Sequence, residues 1–68
     1  MTDFVLLKKK INERGLSMTE LSKRTGIVRA TLYNRLAGIG EFTASEITAL
    51  TRVLGLTNKE RDQIFLNE

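Results

Sequence analysis

The chain has 68 residues with no Cys and no His, so it has neither a disulfide framework nor histidine metal ligands to support its fold. At this length it is read as one domain, residues 1–68, burying only ~60% of its unfolded surface, so its core has to come from packed helices or from another chain. The net charge of +3 is divided unevenly: residues 1–38 carry eight basic and three acidic side chains, residues 39–68 three and five. That imbalance points to an anionic partner on one face.

No apolar run approaches the ~18 residues of a membrane span. The start does not read as a secretory signal, because the apolar stretch Phe4–Leu7 is short and the lysines follow it. No membrane partner is expected, and the absence of Cys fits a reducing cytoplasm.

Taken in chain order, the sequence is punctuated like an all-α domain. There is no Pro and no sustained strand-like alternation. Ser17, Thr43 and Thr57 are each followed three residues later by Glu20, Glu46 and Glu60. This is the capping-box pattern, in which the hydroxyl and the carboxylate satisfy orphan N–H groups at a helix start. Gly15, Gly26, Gly38 and Gly55 stand where helices would end. The pattern predicts helices at about 3–14, 18–25, 28–37, 44–54 and 58–66.

Apolar residues at helical spacing predict the core. Phe4, Leu7 and Ile11 line the first helix, Leu21 the second, and Leu32 and Leu36 the third. Ile47, Leu50, Val53 and Leu54 line the fourth, and Ile64 and Phe65 the fifth. Leu16, Ile27, Phe42 and Leu56 are expected to plug the connections.

The informative stretch is Met18 to Gly38, MTELSKRTGIVRATLYNRLAG. Two short helices meet at Gly26, which supplies the positive φ of a tight turn. Ser22 is small enough for two helices to cross closely, Ile27 plugs the turn, and Leu32 pins the following helix. These are the mechanical parts of a helix-turn-helix.

This stretch resembles the helix-turn-helix of the phage repressor and Cro family, and the resemblance extends over almost the whole chain. RGLSMTEL (14–21) is similar to the family's join of helices 1 and 2, and GIVRATLYNRLAG (26–38) to its turn and recognition helix. SEITALTRVLGL (45–56) is similar to its fourth helix. TLYNRLAG, followed by EF and then EI, looks closest to short Cro-like or repressor-modulating proteins from phages of low-GC Gram-positive bacteria. The resemblance implies a compact five-helix lambda-repressor-like domain and a bacterial cytoplasmic location. The sequence departs from the family where Ser22 replaces a common Ala and where Thr25 and Arg35 replace common apolar residues. Many members also pair an Arg in helix 1 with a Glu at the end of helix 3. Ile11 and Leu36 stand at those positions, so direct contact between them is expected.

Carried over residue by residue, the resemblance implies that a helix at about 28–37 enters the major groove of double-stranded DNA. It implies a base-reading face of Val28, Arg29, Ala30, Tyr33 and Asn34. Arg29 suits guanine O6 and N7, Asn34 an adenine edge or a phosphate, and Val28 and Ala30 a thymine methyl. Tyr33 suits a phosphate or a sugar. Outside this context Arg29 and Asn34 would be ordinary solvated residues. Phosphate contacts are expected from Ser17, Met18 and Thr19 at the start of helix 2, from the backbone at Gly38 and Gly40, and from Lys23 and Arg35. The run Lys8–Lys10 reads more readily as a solvated face.

Phage operators commonly carry two half-sites, which implies a homodimer on DNA. Ile64, Phe65 and Leu66 are the candidate interface for a second copy or a partner. The rival reading of Ile64 and Phe65 is that they seal the chain's own core. A rival function is binding to a phage repressor protein as an anti-repressor or modulator. An antitoxin of the same fold would need a toxin-binding extension. No catalytic constellation, cofactor motif or metal cluster is visible, so no enzyme activity is expected.

Overall fold

In the computed structural model, residues 1–66 are described, and they form five helices in series. α1 is Phe4–Glu13, α2 Met18–Thr25, α3 Arg29–Leu36, α4 Ala44–Leu54 and α5 Asn58–Phe65. Among the described residues there is no strand, so the all-α, five-helix architecture expected from the sequence is the one that forms. Where expected and observed ends differ, the difference is one residue, and the trimmed residues Asp3, Arg14, Val28, Ala37 and Leu66 are the helix caps.

All three capping boxes are made. The hydroxyls of Ser17, Thr43 and Thr57 accept the N–H of Glu20, Glu46 and Glu60 at 3.1, 3.2 and 3.1 Å, and each carboxylate accepts its cap's N–H in return. Such a cap is worth about 1 kcal/mol, a sizeable share of the stability of a chain this small. α1 is capped by Asp3, which accepts the Leu6 N–H at 3.0 Å. The sequence reading passed over this cap because Leu6, not Glu, stands three residues on. The Asp3 N–H also donates to the Ile64 carbonyl at 2.7 Å, tying the start of the chain to the end of α5.

α2 packs against α3 and α4, while α5 packs against α1 and α4. The shared core is Leu7, Ile11, Leu21, Ile27, Leu32, Leu50, Val53, Leu54, Ile64 and Phe65. Burying one such side chain stabilises the fold by about 1.5–3 kcal/mol. Leu16, Leu36, Phe42, Ile47 and Leu56 pack half-buried against it, as do Leu6 and Met18, which the periodicity had not singled out. Ile11 is part of the core and Leu36 packs half-buried against it. Phe4 is only half-buried, its ring lying beside Gly38.

The proposed interface at the end of α5 is corrected by this packing. Ile64 is fully buried and Phe65 is 7% exposed, with the Phe65 ring set edge-on to Phe42 at 5.3 Å. Both side chains are consumed by the chain's own core. Of the three candidates only Leu66, 63% exposed, is left for a partner.

Candidate nucleic-acid interface

The link between α2 and α3 is three residues long and is fastened by side chains as well as backbone. Gly26, at φ +77°, lets the chain reverse, and its N–H closes α2 on the Ser22 carbonyl at 2.9 Å. The Ser22 hydroxyl donates to the Ile27 carbonyl at 2.6 Å. The Thr25 hydroxyl donates to the Leu21 carbonyl at 2.7 Å and accepts the Ile27 N–H at 3.2 Å. Ser22 is therefore more than a small residue at a crossing. With Thr25 it satisfies turn groups that would otherwise be orphaned near the core. Ile27 plugs the turn and Leu32, 1% exposed, anchors α3.

Anchoring α3 by one face leaves the other in water. Val28, Arg29, Ala30, Tyr33 and Asn34 are all exposed, so the structure leaves all five sequence-predicted base-reading residues open to solvent. Val28 at 68% and Tyr33 at 56% are among the few large apolar or aromatic side chains left open among the described residues. The N-terminus of α3 is also distinct: the other four helices have side-chain caps, whereas Val28 provides none. Its first N–H groups therefore have no side-chain acceptor, at the positive end of the helix dipole.

The expected phosphate contacts divide into those the fold leaves open and those it uses itself. Lys23 is exposed on α2. The Ser17 hydroxyl is spent on the capping box, so the open donors at this helix start are the amides of Met18 and Thr19. The Gly38 N–H donates to the Arg35 carbonyl at 3.0 Å, so it closes α3 instead of facing a strand. Arg35 is turned back onto the fold. Its Nε lies 3.4 Å from Glu46 Oε1 and its Nη1 donates to the Ile39 carbonyl at 3.3 Å. Gly40 sits beneath that guanidinium, where an added Cβ would fall 2.5 Å from Arg35 Nη1. The guanidinium could shift from such a Cβ, so it is the left-handed backbone at φ +74° that calls for a glycine there.

Other cations are likewise settled by packing. Lys10, part of the basic run, is ion-paired with Glu60 on α5, leaving Lys8 and Lys9 exposed. The Arg14 guanidinium donates to the Val53 carbonyl at 3.4 Å near the end of α4. Arg29 keeps its place on α3 but is not loose: its Nη1 donates to the Thr19 hydroxyl at 3.0 Å. An open cleft of about 340 Å³ runs beside α3, lined by Thr25, Val28, Thr31, Ser45, Glu46 and Ala49, among others. Sequence reading missed this cleft because Ser45 and Ala49 meet α3 only through packing.

A helix-turn-helix family model matches residues 7–57, three quarters of the chain, from the middle of α1 to the cap of α5. The chain belongs to the helix-turn-helix family. The match takes in the whole α2–α3 unit and its supports in α1 and α4, the elements that fix the exposed face of α3. The family is one of DNA-binding transcription regulators, so the partner of this helix-turn-helix protein is double-stranded DNA. No curated protein and no solved structure gives a match. Among the described residues no cluster of acidic side chains is able to hold a metal ion, and no helix is long and apolar enough to cross a membrane.

Proposed function

We propose that the chain is a sequence-specific regulator of the Cro-like phage type, acting on a lysis–lysogeny switch in the bacterial cytoplasm. In this reading the single domain of residues 1–68 places α3 in the major groove. Arg29 and Asn34 supply polar base readout, and Val28, Ala30 and Tyr33 supply apolar and sugar–phosphate contact. The observation that carries it is the exposed side of α3 and its cap: five exposed side chains, two of them large and apolar or aromatic, at and beyond a helix start without a side-chain cap.

Phosphate contacts are assigned to the Met18 and Thr19 amides, to Lys23 and to the Gly40 backbone. Arg35 and Gly38 then act indirectly, by shaping the loop before α4. Two polar readers per chain give modest specificity, so a second copy on an adjoining half-site would strengthen it. With Ile64 and Phe65 buried, Leu66 is what α5 offers such a contact.

Selection of binding sites from random duplexes, at stated salt, tests the reading. Recovery of one short motif, alone or as two half-sites about one turn apart, is the expected outcome. Recovery of no motif unless a phage repressor is added would replace it with the modulator reading.

A further inference from the structure

We propose that Thr19 is a positioning residue that sets the base preference of Arg29, an inference that rests on α3 being the recognition helix. The bond between them spans the two helices of the motif. Thr19 is the second residue of α2 and Arg29 the first of α3, and Arg29 Nη1 donates to Thr19 Oγ1 at 3.0 Å. Both side chains are exposed, so the bond is not a by-product of core packing.

An arginine at the open start of a recognition helix has two kinds of acceptor in reach, the phosphates beside it and a guanine edge ahead of it. Its long side chain carries roughly 2 kcal/mol of rotamer entropy, and unrestrained it would sample both. The Thr19 hydroxyl takes one of the five guanidinium N–H groups and leaves four, enough for the two parallel bonds that guanine O6 and N7 accept. It thereby selects the rotamers in which the planar fork lies over the helix-turn-helix face.

The same hydroxyl retains its own proton. Ser17 spends its hydroxyl on the cap, but the Met18 and Thr19 amides at this helix start are not capped. A phosphate held by those amides lies within reach of the Thr19 O–H. One chain of donors then runs from phosphate through Thr19 and Arg29 to the base. Docking of the backbone and reading of the base become a single geometric event.

The test measures preference at one base position with the whole protein and the duplex recovered by selection. The position is defined as the one whose preference Arg29→Ala removes. Thr19→Val keeps the shape and deletes the hydroxyl. It should lower the preference at that position about three- to tenfold, the worth of one surface hydrogen bond. Thr19→Ser should restore the preference, and Thr19→Val should remove no further preference at that position once Arg29 is alanine. An unchanged preference in Thr19→Val, or an equal loss when Arg29 is already alanine, overturns the role of Thr19 while leaving Arg29 as a reader. If Arg29→Ala itself changes no preference, or no duplex is recovered, the recognition-helix reading fails and Thr19 falls with it.

Discussion

Arg35 and Thr43 share one carboxylate oxygen: Glu46 Oε1 lies 3.4 Å from Arg35 Nε and accepts the Thr43 N–H at 2.9 Å. The last turn of α3 and the cap of α4 are thereby joined through a side chain that is only 14% exposed. Between them the loop folds around the guanidinium, with the Ile39 carbonyl bonded to it and Gly40 passing beneath. A cation on α3 is thus spent on the angle between that helix and its support.

Arg35→Met should separate this role from a phosphate contact. Loss of a partly buried pair and one loop bond predicts destabilisation of about 0.5–1.5 kcal/mol in urea unfolding. The slope of log DNA affinity against log salt should stay as in the wild type, because the guanidinium is held by Glu46 and the Ile39 carbonyl. A phosphate contact would instead reduce that slope by ~0.9.

Lys10 and Glu60 make stability depend on pH at both ends of the scale. The hydrogen bond from Lys10, and next the Thr57 N–H, lower the Glu60 carboxyl from its ordinary 4.5 to about 2. A depressed acid contributes fully above its unfolded value, so its contribution is lost as pH falls from about 4.5 to about 2. The Lys10 ammonium is raised above 10.5, chiefly by its hydrogen bond to Glu60. Its contribution is full below 10.5 and is lost as pH rises through the raised value. Glu60→Gln keeps a capping-box side chain, and should flatten the acid limb of stability measured by denaturant between pH 5 and pH 2.

The two faces of α3 should respond oppositely to truncation. Leu32→Ala removes a side chain that is 1% exposed, and should cost about 2–5 kcal/mol, enough to leave little of the chain folded. Tyr33→Ala, one residue along and 56% exposed, should leave stability within about 0.5 kcal/mol while weakening DNA binding. Melting curves and binding isotherms on the same two variants check both statements.

Thr51 offers a stabilising substitution. Its hydroxyl oxygen is buried and meets no hydrogen-bond partner. Val has the same shape without the polar atom, so Thr51→Val should raise stability by about 1 kcal/mol, read as a higher urea midpoint. DNA affinity should be unaltered, since Thr51 lies on α4 and not on the exposed face of α3.

The sequence by itself determined what depends on neighbours a few residues away. Ser17, Thr43 and Thr57 announce helix starts because a capping box closes over three residues, and Gly26 announces the turn because its φ is a local demand. The exposed face of α3 follows from Leu32 and Leu36 occupying the other side of the same helix. Tertiary structure alone decided which charges and apolar residues remain available. Arg35 finds Glu46, Lys10 finds Glu60, Arg14 finds the Val53 carbonyl and Arg29 finds Thr19 only after the helices pack. A long cationic side chain satisfies itself with whatever acceptor the fold brings near, and no periodicity records that choice. Ile64 and Phe65 read equally well as core or as interface in the sequence, and the ring of Phe42 and the helices around α5 settled them as core.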